Sequence, residues 1–539
     1  MSEKDRTTRA LRALTLGLGA VTLVLFLYVV VARFRYPIDA EWMVGAVRDG
    51  VARLRSGEPL YAAPQERFIP FVYPPLYHWT CAFFARFVSV FLACKLVSLI
   101  ATTITAWGIY AITQRLGASR FWSIASVLLH FGSYSLTLRF YDLERVDAFA
   151  TAVVVVGLVV LLSGESVVRT AIGGAVLGLA FFAKQPHLLA FVAAVFALYF
   201  AGEKRRALVC GGAGIATLAL LLLYLEGTTG PWFRFYCVKV PGAHGIEPRV
   251  VSVFFITDLP KAFVLSAASI AMAARAFRRP KANEMLVAAI VATTMVEAFF
   301  LRAHRGGWSN VILAWTPFGC AAVGIVASDF EERARTTPLA RAVSRLLPAG
   351  TSLAFLGGIF DPFDASPNAD DLAERQRVVA LVRKLETEGE VVVMTTGDLT
   401  RPTHFQMAAL HDLLRAGEPL PEDIARSLRE RKYTAILVND PMELLCKTKP
   451  CVDAFTTFAT SYFVGARREE REHTGMTGLD ARPRFIMRPR KEPLSSAMSP
   501  EELARRLTTE MGLAEARAKA LPPNADPVID DTIEQLASR

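Results

Sequence analysis

Long apolar runs recur through the first two thirds of the chain, separated by short polar connections. A helix of about 20 such residues crosses a hydrocarbon core, so about eleven spans are expected. They fall near 13–32, 92–113, 121–138, 148–163, 170–184, 187–202, 207–225, 260–274, 283–301, 311–328 and 344–360. The first run lacks a small-residue cleavage site and exceeds a signal-peptide core, so it is expected to remain as an anchor.

After residue 360 the pattern changes. Asp370 to Lys384 has helical periodicity, Glu390 to Met394 reads as a buried strand, and 403–416 and 421–431 read as helices. Tyr433 to Val438 reads as a second strand, ending at Asn439-Asp440-Pro441. Strands alternating with helices predict a small α/β layer. From about 491 the chain is rich in proline, alanine and charge, which predicts a loosely attached, partly helical tail. The expected fold class is therefore an α-helical polytopic membrane protein with a small extracytoplasmic α/β domain at its C-terminal end. The membrane domain covers 1–360, with a first outer loop at about 33–91, the α/β domain 361–490 and the tail 491–539. No period of repeat length is visible, which excludes a solenoid.

Charge sets the orientation. Lys4, Arg6, Arg9 and Arg12 precede the first run. Arg115 with Arg120, Arg169, Lys204-Arg205-Arg206, Arg275 to Lys281 and Arg333 to Arg345 then occupy every second connection. Basic connections stay in the cytoplasm, so the N-terminus is expected inside and the C-terminal part outside. The first outer loop carries Arg48, Arg53, Arg55 and Arg67 against this trend, but the rule is weak for long loops. With 53% hydrophobic residues, the net charge of +10 reads as topology signal and headgroup contact. No basic aromatic patch suggests nucleic acid. Of seven cysteines, Cys81, Cys94, Cys210 and Cys320 lie in apolar segments and suit ordinary packing. Cys446 and Cys451 bracket a polar loop expected outside, where disulfides persist. Zinc is the rival there, but neither His411 nor His473 falls at ligand spacing to the pair.

Four polar groups lie on the outer side of this topology. Asp39 and Glu41 follow the first run, ahead of Gly57-Glu58-Pro59-Leu60-Tyr61 and Tyr73-Pro74-Pro75-Leu76-Tyr77. Asp142, Arg145 and Asp147 stand between the third and fourth runs, where Asp147 could equally serve as a helix cap. Lys184-Gln185 sits in an apolar run that Pro186 breaks, and the break favours a turn that exposes the ammonium. A lysine in such a run costs about 2.5–3.5 kcal/mol to insert, so it calls for an anionic partner or a function, with snorkelling as the alternative. His304-Arg305-Gly306-Gly307-Trp308-Ser309-Asn310 separates the ninth and tenth runs. Its glycines allow close backbone approach, and Trp308 suits the interfacial aromatic belt or a stack on a sugar.

In order and spacing these features resemble the GT-C class of membrane glycosyltransferases. Within it they resemble the bacterial proteins grouped with dolichyl-phosphate-mannose–protein mannosyltransferases and the lipid A aminoarabinose transferase. The resemblance runs over most of 10–440 through Asp39-x-Glu41-Trp42-Met43, Gly57-x-Pro59-Leu60-Tyr61, Tyr73 to Tyr77, Asp142-x-x-Arg145-x-Asp147, Lys184-Gln185 and Gly306-Gly307-x-x-Asn310. It implies transfer of a sugar from a polyprenyl-phosphate donor to an outer-face acceptor. It makes Asp39 or Glu41 the general base and gives Asp147 a supporting role. Tyr73 to Tyr77 would belong to an interfacial helix. Relatives often have an acid immediately before the glycine that is Gly45 here, where this chain has Val44. The base is thus left as Glu41, as Asp39, or as lost.

The inventory fits that chemistry. A carboxylate beside the acceptor hydroxyl supplies general-base catalysis, and Arg145 and Lys184 beside the leaving phosphate stabilise developing charge. Tyr73, Gln185, His304 and Asn310 complete the expected substrate-binding set. A single displacement would invert the anomeric centre. No histidine cluster demands a metal, and the carboxylates leave room for a divalent ion. The expected partners are the lipid-linked donor, membrane lipids and an acceptor the sequence does not name. The expected location is the cytoplasmic membrane of a bacterial cell envelope. Two rivals remain: a transporter or flippase for a lipid-linked or small anionic substrate, and a non-catalytic envelope scaffold.

Overall fold

Each of the eleven apolar runs lies mostly in helix in the computed structural model, which describes residues 3–36, 38–394, 405–468, 483–521 and 527–537, with side chains from residue 7. His473, weighed above as a zinc ligand, lies outside the described residues. By length and composition Thr7–Arg35, Val90–Arg115, Lys204–Thr229 and Ala282–Ala303 can cross a bilayer alone. Pro248–Lys261 and Phe263–Arg278 meet at 94° and make a fifth if taken as one broken span. Val146–Leu162, Val167–Ala183 and Gln185–Phe200 are shorter and equally apolar. Helix Lys204–Thr229 turns Leu208, Ile215, Leu220 and Leu223 outward. That arrangement suits a hydrocarbon solvent, in which a helix satisfies its own backbone groups. The chain is a multi-pass membrane protein.

The backbone divides into two units. The first comprises Met1–Val31, Tyr73–Thr228 and Gly245–Ser366. In it Val146–Leu162 packs against Val90–Arg115 and Val167–Ala183, while Ala282–Ala303 packs on Leu188–Phe200. Val154, Val155, Leu158, Leu177, Phe191, Leu286 and Ile290 belong to the shared core. Without a hydrophobic drive between helices in lipid, close approach depends on small residues. Val167–Ala183 meets Lys204–Thr229 in this way: a Cβ on Gly174 would overlap the Cys210 carbonyl, and one on Gly178 would lie 2.8 Å from the Gly214 carbonyl. Serines start three of the helices, with the Ser89, Ser119 and Ser166 hydroxyls accepting from Leu92, Trp122 and Arg169 backbone N–H groups. The third run was expected to reach 138, but its helix stops at Gly132. Turns follow, and Leu138 and Arg139 adopt left-handed φ of 54° and 64°.

The second unit comprises Ala32–Val72, Thr229–His244 and Pro367–Arg539. Its sheet has the order β1-β2-β4-β3, with β1 Glu390–Val393, β2 Tyr433–Val438, β3 Tyr462–Arg467 and β4 Phe485–Pro489. β1 and β2 run parallel, and the other two pairings are antiparallel. The sequence reading found β1 and β2 and missed β3 and β4, because Tyr462–Arg467 continues directly from helix Lys449–Ser461 with no turn residue between them. On one face Val391, Val393, Ala435 and Leu437 pack against Val378, Leu381 and Leu385 of helix Ala369–Glu386.

Two expectations change here. The segment after 491 is not loosely attached. Ser499 and Glu502 form a capping box for helix Pro500–Lys519, which packs on β3 and buries Glu510 against Arg490 at 2.9 Å. The first part of the outer loop, assigned above to the membrane domain, belongs with the C-terminal unit. The Glu66 carboxylate accepts from Tyr433 and Lys432, and its backbone N–H reaches Asp423 at 2.7 Å. Tyr73–Tyr77 leads into a nine-residue helix, Leu76–Phe84, too short to span.

Candidate active site

In the first unit, five side chains of residues 141–147 are held by neighbours from other segments. The Tyr134 hydroxyl donates to Asp142 at 2.7 Å, and the Tyr141 hydroxyl donates to the His130 carbonyl at 2.9 Å. Glu144 lies 3.4 Å from Lys95, both almost wholly buried. Arg145 donates to the Tyr73 hydroxyl at 2.8 Å and lies 3.6 Å from Asp147. Lys184 donates to the other Asp147 oxygen at 2.7 Å.

The local sequence explains these positions. Asp147 lies in the first turn of Val146–Leu162, where the helix dipole favours a carboxylate. Pro186 ends Val167–Ala183, so Lys184 takes extended backbone (φ −159°) before the short turn Gln185–His187. The break was expected to expose the ammonium. Instead Lys184 is 8% exposed, because the turn aims it inward at Asp147.

Arg145, Asp147 and Lys184 are thus two cations on one carboxylate inside an apolar unit. The guanidinium also lies over Phe140 and Tyr73, at 5.2 and 5.6 Å from the ring centres. Such a cluster can attract an anion, since two cations meet one carboxylate in surroundings that strengthen electrostatics.

The second unit holds the first-loop acids. Asp39 is buried and salt-bridged to Arg48. Glu41 is buried and accepts the Met43 backbone N–H at 3.0 Å. Helix Val44–Arg55 follows, burying Val44, Val47 and Val51. It also carries Asp49, which accepts from Gln406 at 3.2 Å. Burial pushes the Asp49 carboxyl up to about 7, against the pull of Arg48 and Gln406 and with a push from Asp39.

Of the expected site residues, the structure brings together Tyr73, Arg145, Asp147 and Lys184, with Gln185 in the adjoining turn. His304 is not part of this group: its ring bonds the Arg305 carbonyl at 2.7 Å, and its backbone pairs with Ile246. Asn310 is buried in the turn Ser309–Ala314. Gly306 has the positive φ (+88°) that favours glycine, and Arg302 bonds the Gly307 carbonyl at 2.6 Å. Sequence reasoning missed Asp49, two buried pairs, Lys95–Glu144 and His187–Glu297 at 2.8 Å, and the half-buried pair Arg302–Asp258 at 2.9 Å. Lys95 and Glu297 did carry a signal, as charges inside apolar runs.

Among solved structures, ArnT from Cupriavidus metallidurans bound to undecaprenyl phosphate is similar over 88% of this chain and 97% of that one, with a TM-score of 0.50 and 14% identity. The fold is of the GT-C type. The same ArnT in the apo state gives 0.48 with 13% identity over 88% and 97% of the two chains. The Archaeoglobus fulgidus oligosaccharyltransferase AglB, in complex with an inhibitory peptide and a dolichol-phosphate, gives 0.45 with 10% identity over 84% and 73%. Neither a family model nor a curated protein matches the sequence. The GT-C resemblance read from short motifs thus reappears in the backbone, over nearly the whole length of ArnT.

Proposed function

We propose that this protein transfers a sugar from a polyprenyl-phosphate-linked donor to an acceptor on the outer face of the cytoplasmic membrane, with inversion. The observation that carries this reading is the buried Arg145–Asp147–Lys184 cluster, with two cations on one carboxylate, in a chain with the fold of a protein solved with undecaprenyl phosphate.

The donor is a phosphodiester with one negative charge, and the leaving polyprenyl phosphate gains a second as it departs. Arg145 and Lys184 hold the diester and stabilise the growing charge, and Asp147 orients Lys184. Tyr73, bonded to Arg145, and Gln185, in the turn after Lys184, bind donor. Asn310 binds substrate from its own turn. Asp39 or Glu41 takes the acceptor proton as the acceptor oxygen bonds to C1 and the C1–O bond to phosphate breaks. Asp39 is oriented by Arg48 and Glu41 by the Met43 N–H, so each is positioned before substrate arrives.

Eleven spans, with the N-terminus inside and the α/β part outside, complete the reading. Alkaline phosphatase fused after residue 365 should be active and β-galactosidase inactive; the reverse would overturn the orientation. The decisive experiment for function mixes the purified protein with a polyprenyl-phosphate sugar donor and follows sugar release, paired with mass spectrometry of envelope glycans from cells with and without the protein. Release of free polyprenyl phosphate with a matching change in glycans supports transfer.

A second reading, transport of a lipid-linked or small anionic substrate, is favoured by the 94° bend between Pro248–Lys261 and Phe263–Arg278 and by the buried pair His187–Glu297. Movement of intact donor across vesicles without its cleavage would select it.

A further inference from the structure

Outside the chemistry above, one cluster of the second unit remains unassigned. His411, Cys446 and Cys451 present ligand atoms that all lie within 4.8 Å of one another, and the two sulfurs are joined as a disulfide. We propose that these three residues form a redox-gated zinc site: a disulfide when oxidised, and a Cys2His ligand set for one zinc ion when reduced.

Local sequence builds the geometry. Helix Met407–Arg415 buries Leu410, Leu413 and Leu414, which fixes the helix that carries His411. Thr448 donates to the Leu414 carbonyl at 3.0 Å and so ties the 446–451 loop to that helix. The Thr448 hydroxyl also lies 3.3 Å from the Cys446 sulfur. Thr448 is in turn the N-cap of helix Lys449–Ser461, which puts Cys451 at its third position. There the helix dipole favours a thiolate over a thiol. Ligands from two helices and a loop are thus brought together by contacts that do not involve the sulfur–sulfur bond. His411 and Cys446 are half-buried, which gives an ion a way in, while Cys451 closes the inner side.

The spacing argument against zinc fails for a topological reason. His411 stands far from the cysteines in sequence, yet the connection through β2 returns the chain to the same place. Two thiolates and an imidazole are a borderline-soft donor set that suits zinc, with water as fourth ligand.

The reductant is a dithiol of the thiol–disulfide exchange class. It gives two electrons and two protons to the Cys446–Cys451 bond and becomes a cyclic disulfide. Zinc then displaces the two thiol protons as two Zn–S bonds form, and the neutral His411 ring donates a lone pair.

The test uses the full-length protein in detergent, with cobalt(II) as the spectroscopic stand-in for zinc. After reduction and anaerobic removal of the dithiol, about one cobalt per chain should bind, with thiolate-to-cobalt charge-transfer absorption that zinc abolishes. The oxidised protein should show no such band, and His411→Ala should weaken binding at least about tenfold. Five other cysteines are buried in the chain, so the double variant Cys446→Ser/Cys451→Ser serves as the control and should give no band. Independently of any variant, zinc should protect Cys446 and Cys451 of the reduced wild-type protein from alkylation, read by mass spectrometry, and a chelator should remove the protection. The proposal is overturned by an absent band and absent protection after reduction, by an equal band in the oxidised protein or the double variant, or by unchanged affinity in His411→Ala.

Discussion

Arg145, Lys184 and Asp147 in the first unit, and Arg48, Asp39 and Asp49 in the second, use the same residue types in opposite proportion. The first group sets two cations on one carboxylate, whereas the second sets one cation among two carboxylates. Burial makes both proportions consequential, because an uncompensated charge inside a protein is costly. In the proposed reading the first group receives the donor phosphate. In the second, burial holds the Asp49 carboxyl near 7. In the proposed reading one region serves the leaving group and the other proton transfer. Each prediction below breaks one side of that contrast.

The largest effect belongs to the acid-rich side. Asp39→Asn or Glu41→Gln, whichever removes the base, should lower kcat about 10²–10⁴-fold at saturating donor, because general-base catalysis acts only in the transition state. Donor KM should stay close to wild type. Steady-state transfer assays on both variants check this, and normal kcat in both would remove the acid–base mechanism.

The cation-rich side should respond differently. Lys184→Met removes a charge-assisted hydrogen bond to phosphate, worth about 1.5–3 kcal/mol, so donor affinity should fall about 10–100-fold. It also strips Asp147 of its nearest partner, and breaking a buried pair costs about 3–5 kcal/mol of stability. The double variant Lys184→Met/Asp147→Leu should recover much of that stability without recovering donor binding. Thermal unfolding and donor titration on the three proteins separate the two losses. A double variant that binds donor normally would place the phosphate elsewhere.

The uneven legibility of these regions in the sequence has a physical origin. A span needs only a long apolar run, so the long apolar helices could be read in advance. Asp147 and Lys184 were visible because charge inside such a run is expensive. Their pairing was not, since it depends on how Pro186 turns the chain. The partners of Lys95 and Glu297 were hidden for the same reason. Asp49 was missed on other grounds: an acid on an amphipathic helix ordinarily faces water, and only packing reveals that helix Val44–Arg55 turns it, half-buried, toward Gln406. His304 stands apart from these, as a polar residue beside two glycines whose side chain bonds its own turn.

Asp49 makes a prediction about pH. Its carboxyl rises from the ordinary 3.8 to about 7 on folding. Between those values the folded chain holds a proton that the unfolded chain has released, so this group's stabilising contribution falls as the pH climbs from about 4 to about 7 and is flat beyond. Asp49→Asn keeps the neutral, hydrogen-bonding form at every pH. It should therefore remove that slope and raise stability at pH 8 by something on the order of 1–3 kcal/mol. Unfolding midpoints of both proteins from pH 5 to 8 supply the test, and parallel curves would show that Asp49 is ionised throughout.

The smallest effect should come from His304→Ala. The resemblance gives this residue a substrate-binding role, but its ring nitrogen bonds the Arg305 carbonyl at 2.7 Å in an exposed position. What holds the turn lies in the backbone and in Arg302: the Glu247 N–H reaches the Ala303 carbonyl at 2.7 Å, and Arg302 grips the Gly307 carbonyl. Removing an exposed side chain from a turn otherwise tied down shifts stability by less than about 0.5 kcal/mol. Donor KM and kcat should both change less than about twofold, since 0.4 kcal/mol corresponds to roughly that factor. Arg302→Ala, by contrast, frees both Asp258 and the Gly307 carbonyl and should cost more stability than His304→Ala. A large rise in donor KM for His304→Ala with unchanged unfolding would return this histidine to the substrate and extend the phosphate side of the contrast to the turn at Gly306.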